Sequence, residues 1–181
     1  SRFKILKNNN LNFIKIKPSC NESLLKKLLI KKRTKPSKIS LELARLKSKS
    51  ISVRRPLKLV VGSDTVIVSD GILLNKARNM KEAKEKIFKF SGKKHHIYSS
   101  ASVFYNKKEI WKFTQKSTIK IRVLEEGEID KYLAAAGRQI LSSVGCYQVE
   151  LLGPNLIEEV KGDLFNVMGF PLFPFLNFIK K

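Results

Sequence analysis

Asp64 is the residue best placed to do chemistry in this chain. It follows the mostly apolar residues 57–61, broken by Lys58, in Gly62-Ser63-Asp64 and precedes a second apolar run, Thr65-Val66-Ile67-Val68. A carboxylate at a strand end inside a sheet is costly to bury unless it meets a metal, a cation or a proton. An aspartate there also serves as a turn or capping residue, and the pattern alone leaves both readings open. Lys47 and Lys76, each taken by itself, read as ordinary surface lysines. His95 and His96 are adjacent in a strand-like stretch, so their rings point to opposite faces and share no metal. A Walker loop, a GxGxxG turn, zinc-ligand spacing and a hydrolase triad are all absent from the sequence.

The elements around these residues follow from periodicity. Residues 2–9 are predicted helical, with Phe3 and Leu6 on one face. Residues 13–16 read as a strand ended by Pro18, and 22–29 as a helix carrying Leu24, Leu25, Leu28 and Leu29. Residues 31–37 form a basic loop containing Pro36, the segment best suited to be a flap. A helix over 39–48 has Leu43, Ala44 and Leu46 as its apolar positions. Residues 57–61 make a short buried strand that breaks at Gly62-Ser63-Asp64 and resumes at Thr65. Met80, Ala83, Ile87 and Phe88 place one stripe on a helix ending near Ser91-Gly92.

Further on, residues 97–105 and 109–113 flank Asn106-Lys107-Lys108, a hairpin turn. Ile119, Ile121 and Val123 alternate with Thr118, Lys120 and Arg122, the pattern of a half-buried strand. Glu125, Glu126 and Glu128 open a helix whose dipole favours them, with Ile129, Tyr132 and Leu133 as its buried side. Residues 146–152 and 156–160 read as the last strands. The whole is an α/β fold, a mixed twisted sheet with flanking helices.

Composition narrows the class. A chain of 181 residues that is 43% hydrophobic suits one domain, or one domain with a small lobe. The apolar stretch 169–179 is too short to span a bilayer and is interrupted by Pro171 and Pro174. No signal-peptide pattern opens the sequence. Cys20 and Cys146 have no paired spacing, so two free thiols in a reducing compartment, the cytoplasm, are expected. The net charge is +22, and the first sixty residues carry 18 Lys or Arg against two Glu. Such asymmetry is either a nucleic-acid footprint or a drift toward lysine at solvated positions. The basic residues are scattered, without an RNA-binding signature.

The order of motifs resembles the Maf family of nucleoside triphosphate pyrophosphatases over almost the whole length. Ser1-Arg2-Phe3-Lys4-Ile5-Leu6 looks like the second half of the family's SxSxxR opening. Asn21-Glu22 matches an Asp-Glu pair with its first member replaced. Leu43-Ala44-Arg45-Leu46-Lys47-Ser48 is similar to a Leu-Ala-x-x-Lys-Ala stretch, and Gly62-Ser63-Asp64-Thr65-Val66-Ile67 to Gly-Ala-Asp-Thr-Val-Val. Leu74-Asn75-Lys76-Ala77 follows the Gly-Lys-Pro element, and Phe90-Ser91-Gly92-Lys93-Lys94-His95 follows Leu-Ser-Gly-x-x-His. Residues 162–172 resemble the closing Gly-Asp-x-x-Asn-Val-x-Gly-Leu-Pro-Leu signature.

The resemblance implies an enzyme that cleaves nucleoside triphosphates, modified or non-standard ones among them, to monophosphate and pyrophosphate. It implies Asp64 as catalytic base, and Arg2, Lys47 and Lys76 as phosphate contacts. Asp64 and Glu22 would hold a divalent metal, and oxygen ligands suit Mg²⁺ or Mn²⁺. Glu150 stands where the thymidine- and uridine-selective branch has Gln, which brings the chain nearer the methylguanosine-triphosphate branch and gives Glu150 a part in base selection. A homodimer without membrane attachment is also implied. The family's first strand and its serines have no counterpart here, so a single domain over 1–181 begun inside the motif is expected. The alternative is a non-catalytic protein of this fold that binds RNA or a larger assembly through its basic first third.

Overall fold

The computed structural model describes residues 2–180. In chain order they form α1 (Arg2–Asn8), α2 (Glu22–Lys31), α3 (Pro36–Ser52), β1 (Val60–Ser69), β2 (Ile72–Leu73), α4 (Met80–Phe90), β3 (Lys94–Tyr105), β4 (Lys108–Ile121), α5 (Glu126–Ala136), β5 (Ile157–Lys161), α6 (Leu164–Val167) and α7 (Leu172–Ile179). One five-stranded sheet has the order β2-β1-β3-β4-β5 and is flanked by helices. β1 pairs antiparallel with β2, and β4 antiparallel with β5 in the register Thr118 opposite Lys161. The α/β reading with a sheet and flanking helices therefore holds.

Two tight turns organise the sheet. Asn106 and Lys107, between β3 and β4, both have positive φ, as the primed hairpin turns require. Asp70 and Gly71 do the same between β1 and β2. That Asp-Gly hairpin is an addition to the elements read from periodicity, because β2 is only two residues long.

The chain divides into two compact units. The first takes residues 2–66, 98–116 and 165–180 of the described chain. Its core joins Ile5 of α1, Ala101 and Val103 of β3, Phe170 just before α7, and Leu172 and Phe175 within it. Trp111 stacks on Phe178 with ring centroids 5.2 Å apart. The apolar segment 169–179 is thus core rather than membrane, and no helix among the described residues is long and apolar enough to cross a bilayer.

The second unit takes residues 67–97 and 117–164. Ala83, Ile87 and Phe90 of α4 are buried, as are Ile129, Tyr132 and Leu133 of α5. The α5 stripe is the one that the sequence shows; on α4 Ala83 and Ile87 are buried as expected, but Phe88 is 56% exposed and Phe90 takes its place in the core. Glu125 and Glu128 form a reciprocal capping box at the start of α5, which satisfies otherwise orphaned N–H groups.

His95 belongs to this second core. It is 1% exposed, stacks on Phe90 at 4.5 Å, and its Nε2 lies 2.6 Å from the Tyr147 hydroxyl. His96 points the other way to Thr118, as alternation demands. Burial, with a smaller push from His96, lowers the His95 pKa from 6.5 to about 4. The unfolded chain then binds more protons than the folded one between those values. The stability this contributes is full above pH 6.5 and is lost as pH falls toward 4, about 3 kcal/mol in all. Melting curves at pH 7 and pH 4.5 should show a larger drop for the wild type than for His95→Phe. Equal drops would remove His95 from the account of acid sensitivity.

Five details depart from expectation. Residues 13–16 form no strand, because no neighbour pairs with them; Ile14 is 82% exposed and Phe13 meets Phe3 edge to face at 5.3 Å. Ile5, rather than Phe3, is the buried residue of α1. Pro36 opens α3 at its first turn, where its missing N–H costs nothing, so the basic loop shrinks to residues 32–35. Residues 146–152 form turns instead of a strand: Cys146 has positive φ, and the N–H groups of Leu151 and Gly153 both donate to the Gln148 carbonyl. The strand predicted around residue 119 is the end of β4 itself, and Val123 lies exposed beyond it.

Candidate active site

Strand β1 runs unbroken through Gly62-Ser63-Asp64, so Asp64 sits inside a strand instead of at its end. The reason lies in Gly62. A Cβ there would stand 2.4 Å from the Ala44 carbonyl oxygen and 2.7 Å from the Ser48 nitrogen. The glycine lets the backbone of α3 lie directly on β1. Asp64, two residues on and on the same face, then meets the α3 residue between those contacts, Lys47.

Lys47 joins two carboxylates. Its Nζ is 2.6 Å from Asp64 Oδ1 and 2.9 Å from Glu22 Oε2. The Lys47 and Asp64 side chains are 16% and 14% exposed, and Glu22 41%. Screening is therefore weak around the first pair and stronger around the second. Glu22 is delivered by the first turn of α2, whose start is fixed by Asn21: its side-chain oxygen accepts the Leu24 N–H at 2.9 Å. Asn21, which replaces an acidic residue in the resemblance, thus acts as a helix cap.

Arg2 completes the cluster. Its Nε donates to the Gly169 carbonyl at 2.8 Å, and its Nη2 donates to Thr65 Oγ1 at 2.9 Å. Burial pulls its guanidinium below the ordinary value, while the charges of Asp64 and Glu22 push it back up. Arg2 therefore feels the charge of the same two carboxylates that Lys47 pairs with, in a medium where charge matters. Ser1, part of the same matched segment, lies outside the described residues.

Sequence reasoning missed the frame that holds Arg2. Thr65 Oγ1 is 2.9 Å from Ser99 Oγ, which donates to the Asn166 carbonyl at 2.7 Å. The fully buried Asn166 returns its side-chain oxygen to the Ser99 N–H. Gly169 has φ +102, and a Cβ there would press on Thr65 Oγ1 at 3.2 Å. Asn166 and Gly169 lie in the segment 162–172 that carries the resemblance, so the signal was present as a motif without a stated role. Lys26 was also missed. It stands one helical turn from Glu22 on the same face of α2. Burial lowers its pKa and the charge of Asp64 raises it.

Lys76 and Glu150 belong to the second unit. Lys76 is an exposed residue after β2, and Glu150 is half-buried in the turns that replace the predicted strand. The first unit alone brings Arg2, Glu22, Lys47 and Asp64 together.

A divalent cation fits this donor set. Mg²⁺ is commonly held by one or two carboxylates plus substrate phosphates and water, and two carboxylates here converge on one lysine nitrogen. Among the described residues no group of three or more His, Cys, Asp or Glu forms a dedicated metal cage. Both cysteines, Cys20 and Cys146, are free.

Comparison with known proteins identifies the family. The chain is 37% identical to a 7-methyl-GTP pyrophosphatase of Bartonella quintana, aligned over 97% of this chain and 87% of that protein. It is 31% identical to a nucleoside triphosphate pyrophosphatase of Caulobacter vibrioides, over 99% of this chain and 90% of that protein. A 7-methyl-GTP pyrophosphatase of Rhizobium meliloti is 31% identical over the same shares. The model of the Maf-like protein family matches residues 1–181, and the chain belongs to that family.

Proposed function

We infer that the protein is a nucleoside triphosphate pyrophosphatase, releasing monophosphate and pyrophosphate, with Asp64 as its base. The observation that carries this reading is the Asp64 carboxylate held by Lys47 beside Glu22 and Arg2. Names of the relatives support the same hydrolysis. No observation favours the non-catalytic alternative.

Water attacks the α-phosphorus, its proton passes to the Asp64 carboxylate, and the bond to the bridging oxygen breaks. Pyrophosphate leaves with that electron pair. Lys47 holds Oδ1 at 2.6 Å and so fixes the carboxylate's orientation. Lys47, Lys76 and Arg2 set positive charge against the phosphates, which gain negative charge on the leaving side. Mg²⁺ or Mn²⁺, held by Asp64 and Glu22, would neutralise phosphate charge. The cytoplasmic location and the homodimer are parts of the same proposal.

A panel of nucleoside triphosphates, including 7-methyl-GTP, assayed with Mg²⁺ and with Mn²⁺ for pyrophosphate, tests it. Release of pyrophosphate from at least one of them is expected. No release from any would refute the reading.

Glu150 is proposed to select the base. A carboxylate accepts two hydrogen bonds from the amino and imino edge of a guanine-type base, whereas a Gln amide offers one donor and one acceptor. Glu150→Gln should lower the preference for guanine-type substrates about 10-fold or more, the loss of roughly one good hydrogen bond. An unchanged ranking across the panel would return Glu150 to a surface role.

A further inference from the structure

Lys76 presents its side chain to solvent, yet the backbone on either side of it is fastened. On one side, Lys86 of α4 donates from Nζ to the Asn75 carbonyl. On the other, the Ala77 N–H donates to the sulfur of Cys146, and Ala77 is buried. The two anchors are themselves connected. Lys86 Nζ also donates to the Val144 carbonyl at 3.2 Å, two residues before Cys146. Cys146 is fully buried with φ +58, and Tyr147 beside it is fixed by His95. One ammonium therefore spans the segment bearing Lys76 and the turn leading to Glu150, all within the second unit.

That arrangement is unusual for a helix lysine. A surface lysine at an i+4 position would ordinarily stay hydrated or pair with the residue a turn earlier, here Glu82. Lys86 gives up part of that hydration to bind two main-chain carbonyls. A charged donor to a carbonyl is about twice as strong as a neutral one. The exchange makes sense if the segment must be rigid while its tip stays free. A long, flexible lysine contributes to phosphate binding only if its Cα is already in place.

We propose that Lys86 is a positioning residue of the reaction: it acts through the Asn75 and Val144 carbonyls to hold Lys76 where it meets the substrate phosphates. The proposal rests on the reading of Lys76 as a phosphate contact. It assigns Lys86 no contact with substrate of its own.

The test is a double-mutant cycle on the full chain, with Lys76→Met, Lys86→Met and both together, assayed on whichever nucleoside triphosphate the panel selects. Lys76→Met should raise KM at least 10-fold. Lys86→Met should reproduce a large part of that rise, at least 5-fold, and should add less than 2-fold when placed on Lys76→Met. Lys86→Arg, whose fork can still donate to two carbonyls, should recover KM to within 3-fold of the wild type. If Lys76→Met leaves KM unchanged, the reading of Lys76 fails and takes the proposal with it. If Lys76→Met has its effect but Lys86→Met has none, or the two multiply fully, the positioning role of Lys86 alone is overturned. Should Lys86→Met fail to fold, the same cycle is read with Lys86→Gln, whose amide reaches one carbonyl but not both.

Discussion

Asp64→Asn is expected to cut turnover by ~10²-fold or more, the range for loss of a general base, while the protein stays as stable as before to within about 1 kcal/mol. The geometry sets both halves of this expectation. Asn keeps the size of Asp and an oxygen for the Lys47 contact at Oδ1, but it cannot take a proton from water or neutralise a cation. Lys47 keeps its second partner, Glu22, at 2.9 Å, so no charge is stranded. Turnover and melting temperature measured on one preparation decide the matter. If folded Asp64→Asn keeps near-normal turnover, Asp64 is only an ion-pair partner of Lys47 and the chemistry lies elsewhere.

Lys47→Met should give the complementary signature, a loss of both activity and stability. Met keeps the length of the stem and removes the ammonium. The Asp64 and Glu22 carboxylates then share a face without their common cation, and Asp64 is only 14% exposed. Leaving a half-buried charge without its partner costs about 1–3 kcal/mol, or roughly 3–10 °C in Tm for a chain of this size. Turnover should fall about 10²-fold, since a fixed donor aimed at developing charge is worth that much. Lys47→Arg should regain the stability, because a guanidinium can still face both carboxylates. A Lys47→Met protein with wild-type Tm would show that the three charges do not form one unit.

How much of this was legible beforehand depended on the range of the interactions. Helices with one strong stripe, such as α4 and α5, follow directly from local periodicity, because burial of that stripe stabilises them. The β3–β4 turn was visible for the same reason: Asn106-Lys107 sits between two alternating runs. Residues 13–16 misled because an apolar run specifies a strand only if another strand pairs with it. The turns at 146–152 misled because Gly145, Cys146 and Gly153 decide the backbone there, whatever the alternation of Tyr147, Val149 and Leu151.

The site shows the same division. Asp64, Lys47, Glu22 and Arg2 could be picked out by motif, yet nothing local says that they meet. Gly62 makes that meeting happen, and its role appears only when Ala44 and Ser48 are seen against it. The Thr65–Ser99–Asn166 frame is longer in range still, with 34 residues separating the first pair and 67 the second. Lys26 could have been found from its spacing to Glu22 alone. Lys86 could not, because its partners are main-chain carbonyls, which leave no mark in side-chain patterns.

The central claim is attack at the α-phosphorus by a water that Asp64 deprotonates. Hydrolysis of the preferred triphosphate in ¹⁸O-enriched water, followed by phosphorus NMR of the products, tests it most directly. The account requires pyrophosphate as the initial phosphorus-containing leaving group, with the isotope-shifted signal on the nucleoside monophosphate and none on pyrophosphate. Label in pyrophosphate would place the attack on the β-phosphorus. Orthophosphate with nucleoside diphosphate as the first products would place it at the γ-phosphorus, and either result would contradict the mechanism.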